Sequence, residues 1–195
     1  MYFATQRECQ NAALLEMMQQ AVANADASAP ILVNSDPKSQ DEATENMYAF
    51  SNEGRERLTS TRGPKVTPIS SVPRMKECFG WLTIRGRTMC GLPRSLRPPV
   101  TTIDKITRYV GPNKEHVAIV YEYVEEGEND AAAVEEVLNF FWITAFSFTI
   151  GPAARNWKGG VLVDLSDIMH PDGYGWNKAL YKERTTEMVL IPEVL

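Results

Sequence analysis

The stretch NWKGGVLVDLSD, Asn156 to Asp167, decides how this chain is read. Val161, Leu162 and Val163 form a run apolar enough for a buried strand, yet the run ends on Asp164 and the turn-forming pair Ser166-Asp167. A strand that ends on a carboxylate delivers that group from a rigid support, as metal and phosphate sites in α/β proteins require. The same residues also make an ordinary strand stop. An enzyme, the remnant of one and a plain interaction domain all remain open at this point.

Bulk composition narrows the classes. With 195 residues of which 44% are hydrophobic, the chain suffices for one core of ordinary size, and one domain is expected. A formal net charge of -5 supplies no overall basic field for nucleic acid and no polybasic face for a membrane, so neither is expected as a direct partner. No window is long and apolar enough for a membrane helix, and the N-terminal MYFATQRECQ lacks the layout of a signal peptide. An intracellular protein is expected. Cys9, Cys78 and Cys90 are odd in number and lack metal-ligand spacing, which argues against a zinc site or a disulfide framework.

Periodicity predicts a helix from about Thr5 to Asn24, with Leu14, Met18, Ala21 and Val22 on its apolar side. The stretch from Ala25 to about Gln40 reads as loop. A second helix is expected from about Asp41 to Leu58, on Ala43, Met47, Phe50, Gly54 and Leu58, with Gly54 weakening its last turn. The Pro- and hydroxyl-rich run from Thr59 to Pro73 reads as a linker. RMKECFGWLTI and HVAIVYEYV, His116 to Val124, are predicted strands flanking a loop-like excursion from Gly86 to Pro99. From Asp130 a long helix is expected to bury Val134, Val137, Leu138, Phe141, Trp142 and Ala145, with Asn129 or Asp130 as N-cap. A last short strand is expected in TEMVLI, and there is no internal repeat.

Searches for compact catalytic motifs fail. There is no glycine-rich dinucleotide or P-loop signature, no HExxH and no GxSxG elbow. His116 at a strand start and His170 in a loop before Pro171 read as ordinary histidines rather than triad members. The acidic run Glu125, Glu126, Glu128 and Asp130 reads as a solvated turn that favours the positive end of the next helix. Trp81, Trp142, Trp157 and Trp176 lie among apolar neighbours and read as core and loop anchors.

The order of elements carries more. RECQNAALLEMM, CFGWL, AIVYEYVEEGEND, LNFFW and RNWKGGVLVDLSDI, spanning about Phe3 to Trp176, resemble a fungal protein-kinase-like family that includes the Sim4-complex kinetochore subunit of the Fta group. The resemblance implies an α+β, protein-kinase-like fold with most of the N-terminal lobe missing: 1–124 as the remnant of that lobe with loop insertions, 125–195 as a shortened C-terminal lobe. VYEYVEEGE would be the interlobe hinge. Glu8 would be the helix glutamate that pairs with an ATP-binding lysine, Asn156 the catalytic-loop asparagine and Asp164 the metal-binding aspartate.

Against that pattern the chain has gaps. Seven residues precede Glu8, too few for the strands that would carry a glycine-rich loop and the lysine, so Glu8 is expected to have no lysine within reach. From Phe146 to Asn156 the sequence FSFTIGPAARN holds no acid, so a general base for an acceptor hydroxyl is missing. Each nominated residue keeps a plain reading beside the functional one: Glu8 as a helix-surface acid, Asn156 as a turn residue, Asp164 as a strand end. No catalytic residue and no resident cofactor are expected, and Asp164 with Asn156 would hold magnesium or ATP only weakly. The expectation is a non-catalytic, pseudokinase-like module with protein partners, nuclear if the kinetochore resemblance extends to function and otherwise cytoplasmic. A phosphotransferase completed by sequence outside this chain is the alternative, and a truncated gene product stands behind both.

Overall fold

The computed structural model describes residues 3–26, 30–58, 65–103, 105–149 and 153–192. The first element is α1, Phe3–Ala23. Its inward face is Asn11, Ala12, Leu15 and Met18, one step round the helix from the predicted face, because a polar residue, Asn11, sits in the middle of it. β1, Ile31–Asn34, follows where loop was expected. Then come α2, Gln40–Tyr48, and α3, Asn52–Leu58, in place of the single predicted helix. The break has a local cause. Ser51 Oγ accepts from Gly54 N at 3.0 Å and donates to Tyr48 O at 3.0 Å, so a hydroxyl caps α3 against the end of α2. A Cβ on Gly54 would lie 1.8 Å from the Tyr48 carbonyl oxygen, so the glycine is what lets the two helices meet at this corner. The corner turns Phe50 inward to an edge-on contact with Phe140, centroids 6.1 Å apart.

β2, Val66–Ile69, pairs antiparallel with β1, Ile31 opposite Ile69, so part of the predicted linker is strand; its first residues, 59–64, lie outside the described residues. Proline at position 68 is tolerated because this is a two-stranded ribbon with open edges. β3, Cys78–Arg85, α4, Gly86–Cys90, a 3-10 turn at Arg94–Leu96, β4, Thr101–Ile103, β5, Ile106–Arg108, and β6, Glu115–Tyr121, come next. The predicted excursion therefore contains a short helix. α5, Ala131–Ile143, opens on Asp130, whose carboxylate accepts from Ala132 N at 3.0 Å. It ends with Ala145 in the left-handed region at φ 63, while Phe146 N donates to Phe141 O and Ala145 N to Trp142 O. That is the hydrogen-bond pattern of a Schellman termination, with alanine where glycine is usual. β7, Ser147–Phe148, β8, Trp157–Lys158, β9, Val161–Leu162, and β10, Ile168–Met169, follow. The predicted last strand is instead a four-residue helix, α6, Thr186–Val189, with fully buried Val189 as its anchor.

The elements form an α+β protein with small antiparallel two-stranded sheets, in two compact units. One comprises Met1–Glu77 and Tyr123–Leu195, the other Cys78–Glu122. The core of the first is built on α5. Val134, Val137, Leu138, Phe140 and Phe141 are buried there, whereas Trp142, predicted to be core, is half-buried and stacks on Tyr181 at 4.6 Å. Phe141 meets Phe146 and Phe148 at 5.2 and 5.8 Å, and Leu162, Leu165 and Ile168 are fully buried. Asn46 ties the periphery to this core, accepting from Asn34 N at 2.7 Å and donating to Asn34 O and Ile143 O at 2.8 Å each.

The second unit is an antiparallel hairpin of β3 and β6, with Trp81 opposite Ile119 and Arg85 opposite Glu115, plus the β4–β5 hairpin. It corrects one expectation: Trp81 is 72% exposed and is no core anchor. Among the described residues no helix is long and apolar enough to cross a membrane.

Candidate functional site

The opening stretch folds into a tight device. Gly159 and Gly160 both have positive φ, 55 and 83, and form the two-residue turn between β8 and β9, with Lys158 opposite Val161. This is the backbone that a right-twisted hairpin demands and that paired glycines adopt without strain. A Cβ on Gly160 would meet the Ala133 methyl at 2.7 Å, so the turn also packs closely on α5. Asn129 Oδ1 holds the turn from the other side, accepting from Gly160 N at 3.1 Å.

The hairpin brings Asn156 back beside the strand end: Val163 N donates to Asn156 O at 2.8 Å. Asp164 then caps the 3-10 turn Leu165–Asp167, its Oδ1 accepting from Ser166 N at 3.0 Å and Ser166 Oγ at 2.7 Å. The carboxylate at the strand end is thus occupied by its own turn. Asn156 is buried, and its side-chain amide donates to Asp167, which also accepts from Thr149 Oγ1 at 3.2 Å.

α1 reads this turn from its buried side. Asn11, fully buried, donates through Nδ2 to Leu165 O at 2.8 Å and Ile168 O at 2.7 Å, and Arg7 Nε donates to Ser166 O at 2.6 Å. Two of these carbonyls belong to the 3-10 turn and the third opens β10, and the helix side chains supply them with donors.

One turn of α1 from Asn11 stands Glu8, and here the structure overturns an expectation. Lys76 Nζ lies 3.3 Å from Glu8 Oε1 and also donates to Val163 O, the residue before Asp164. The side chains of Lys76 and Glu8 are 8% and 22% exposed. The lysine comes from downstream of the helix, out of the extended segment that precedes β3. Glu8, Asn156 and Asp164 are brought together, linked through the backbone of Val163. Lys76, which with Lys65 was a lysine whose pairing with Glu8 would overturn the expectation, and Asp167, read from the sequence only as a turn residue, complete the arrangement. Asp167 lies three residues after Asp164, a spacing that places both on one turn, and that was the available signal. Nothing in the local sequence marks Lys76.

Burial pushes the Asp167 carboxyl above the ordinary aspartate range, and the nearby Asp164 charge adds to this; the Asn156 and Thr149 hydrogen bonds and the Arg7 charge oppose it. The folded chain therefore binds this proton more tightly than the unfolded chain. Its contribution to stability is fully present below the unfolded pKa of about 3.9 and is lost as pH rises through the raised folded value. Asp167→Asn cannot titrate, so wild-type stability minus variant stability should fall with rising pH across that interval and level off above it. Urea midpoints of both proteins between about pH 3 and pH 7 check this; a difference that is flat or rises with pH rules it out.

The donor set fits magnesium and nucleotide poorly. A metal-binding aspartate and asparagine need free oxygens facing one point, and a phosphate-binding lysine needs an ammonium face open to the ligand. Here Asp164 Oδ1 takes two bonds from Ser166, Asn156 serves Asp167, and both Asp167 oxygens already accept, one from Thr149 and one from Asn156. Lys76 is enclosed by Glu8 and the Val163 carbonyl. Among the described residues no group of three or more His, Cys, Asp or Glu is placed to hold a metal ion. No family model, no curated protein and no solved structure matches the chain.

Proposed function

We propose that this chain is a non-catalytic, protein-kinase-like module that acts through protein–protein contacts. The observation that carries the reading is the mutual satisfaction of Glu8, Lys76, Asn156, Asp164 and Asp167 in the first unit: each of the groups nominated for phosphate and metal is joined by hydrogen bonds or an ion pair to its neighbours. Phosphoryl transfer runs on positioned charge, and groups already engaged by their neighbours are not aimed at a transition state. A fungal kinetochore subunit located in the nucleus is the role that the sequence resemblance suggests, and it rests on that analogy.

A second reading has one observation in its favour. The Lys76–Glu8 pair next to the backbone of Val163 and Asp164 is the kind of lysine–glutamate pair that orders a phosphate site in ATP-dependent phosphotransferases. Binding and turnover separate the two. With radiolabelled ATP and magnesium, wild type should transfer no phosphate to protein or small hydroxyl acceptors above an Asp164→Ala control. Magnesium-ATP should raise the melting temperature little or not at all. Turnover that Asp164→Ala abolishes would establish the phosphotransferase and end the non-catalytic reading.

A further inference from the structure

Charge is distributed unevenly along this chain. Cys78–Glu122 carries seven Lys or Arg against three Asp or Glu, a formal +4, so the rest of the protein carries -9 of the total -5. Within this basic unit Arg85, Arg87, Pro112, Asn113, Lys114 and Glu115 line a cleft of about 330 Å³, the lower end of the size range of small-ligand pockets. Arg85, Arg87 and Lys114 are exposed, and among the described residues no ion pair engages them.

The cleft adjoins an apolar sheet face. Directly opposite residues share a face in an antiparallel pair, so Trp81 with Ile119, Thr83 with Val117 and Arg85 with Glu115 lie on one side of the β3–β6 hairpin. Trp81 is 72% and Val117 69% exposed on that side. Each strand pairs on only one flank among the described residues, which leaves backbone donors and acceptors open to an added strand.

From this juxtaposition we infer that Cys78–Glu122 docks an acidic peptide segment of a partner protein, its apolar side chains on Trp81 and Val117 and its Asp and Glu carboxylates in the Arg85–Arg87–Lys114 cleft. Arginine forks match carboxylates two bonds at a time, and a lysine adds a point charge. Glu115 in the cleft wall favours a peptide, whose N–H groups it accepts, over a phosphodiester chain, which it repels. The inference locates the interaction role proposed above, yet it stands on this unit alone and survives either outcome of the ATP experiment.

The test is fluorescence anisotropy of the full chain with a fluorescein-labelled peptide of about twelve residues, two leucines at alternate positions followed by four glutamates. Saturable binding should appear at low salt and weaken as salt rises. Arg85→Glu/Arg87→Glu should weaken it about tenfold or more, and Trp81→Ala several-fold, at unchanged melting temperature. If the double variant melts early, Lys114→Glu carries the same expectation. The inference fails if the peptide does not bind, if lysines in place of its glutamates bind equally well, or if charge reversal has no effect. A version with phosphoserine for glutamate that binds where the glutamate peptide does not would overturn the carboxylate assignment. Tighter binding of a thymidine oligonucleotide of equal length would replace the peptide with nucleic acid.

Discussion

Asn11→Asp should cost about 3–4 kcal/mol of folding stability at neutral pH, a large part of what a domain of this size holds. The replacement keeps the volume of the side chain and removes both N–H donors that serve Leu165 O and Ile168 O. Each buried acceptor left unpaired costs about 1–3 kcal/mol, and an ionised carboxylate pressed against two carbonyls adds to it. Acidification should restore part of the loss, because a protonated aspartate regains one donor. Asn11→Ala, with no donor at any pH, should stay destabilised throughout. Urea denaturation at neutral and acid pH distinguishes them. A loss under about 1 kcal/mol for Asn11→Asp would mean that the turn does not depend on α1.

Lys76→Met should cost about 2–4 kcal/mol, since it strands a largely buried Glu8 carboxylate and frees the Val163 carbonyl. The upper end is tempered by the residual exposure of Glu8, which lets water compensate. Glu8→Leu alone takes the carboxylate from a buried ammonium and should also destabilise. The double variant Lys76→Met/Glu8→Leu should be more stable than the sum of the single losses predicts, by about 1–3 kcal/mol, because two apolar groups of similar volume then face each other. Additive losses would show that the two side chains do not act as a pair.

Local physics made part of this fold legible. The 3.6-residue rhythm of Val134, Val137, Leu138 and Phe141, with Asp130 before it, is enough to place α5 and its cap. The same rhythm put the α1 face one step off, because no periodicity counts an asparagine as core, and Asn11 is buried for its hydrogen bonds rather than for its apolar surface. The β1–β2 ribbon is four residues per strand and carries a proline, too short and too interrupted for alternation to register. Gly159-Gly160 between Lys158 and Val161 is a hairpin signal in plain view, overlooked because the apolar run after it drew the reading toward a single strand.

The site was harder for a different reason. Glu8 and Lys76 are 68 residues apart, and Lys76 and Val163 are 87 apart. Spacing cannot announce a pair that only the packed chain creates. Trp81 shows the converse error: apolar neighbours in sequence suggested a core, but alternate residues of a two-stranded hairpin have nothing to pack against on one side.

The clasp between α1 and the Leu165–Ile168 turn sets an order of events during synthesis. Its three hydrogen bonds join residues 154 to 159 positions apart, so the first helix leaves the ribosome with Asn11 and its apolar neighbours unmatched. At ~5–20 residues per second, roughly 10–30 s pass before the partner turn is made. The loop that must close is also long, a cost borne before any of its contacts form. The nascent helix therefore waits exposed to misassociation, and the centre around Asp164 exists only once the turn at Leu165–Ile168 has been made.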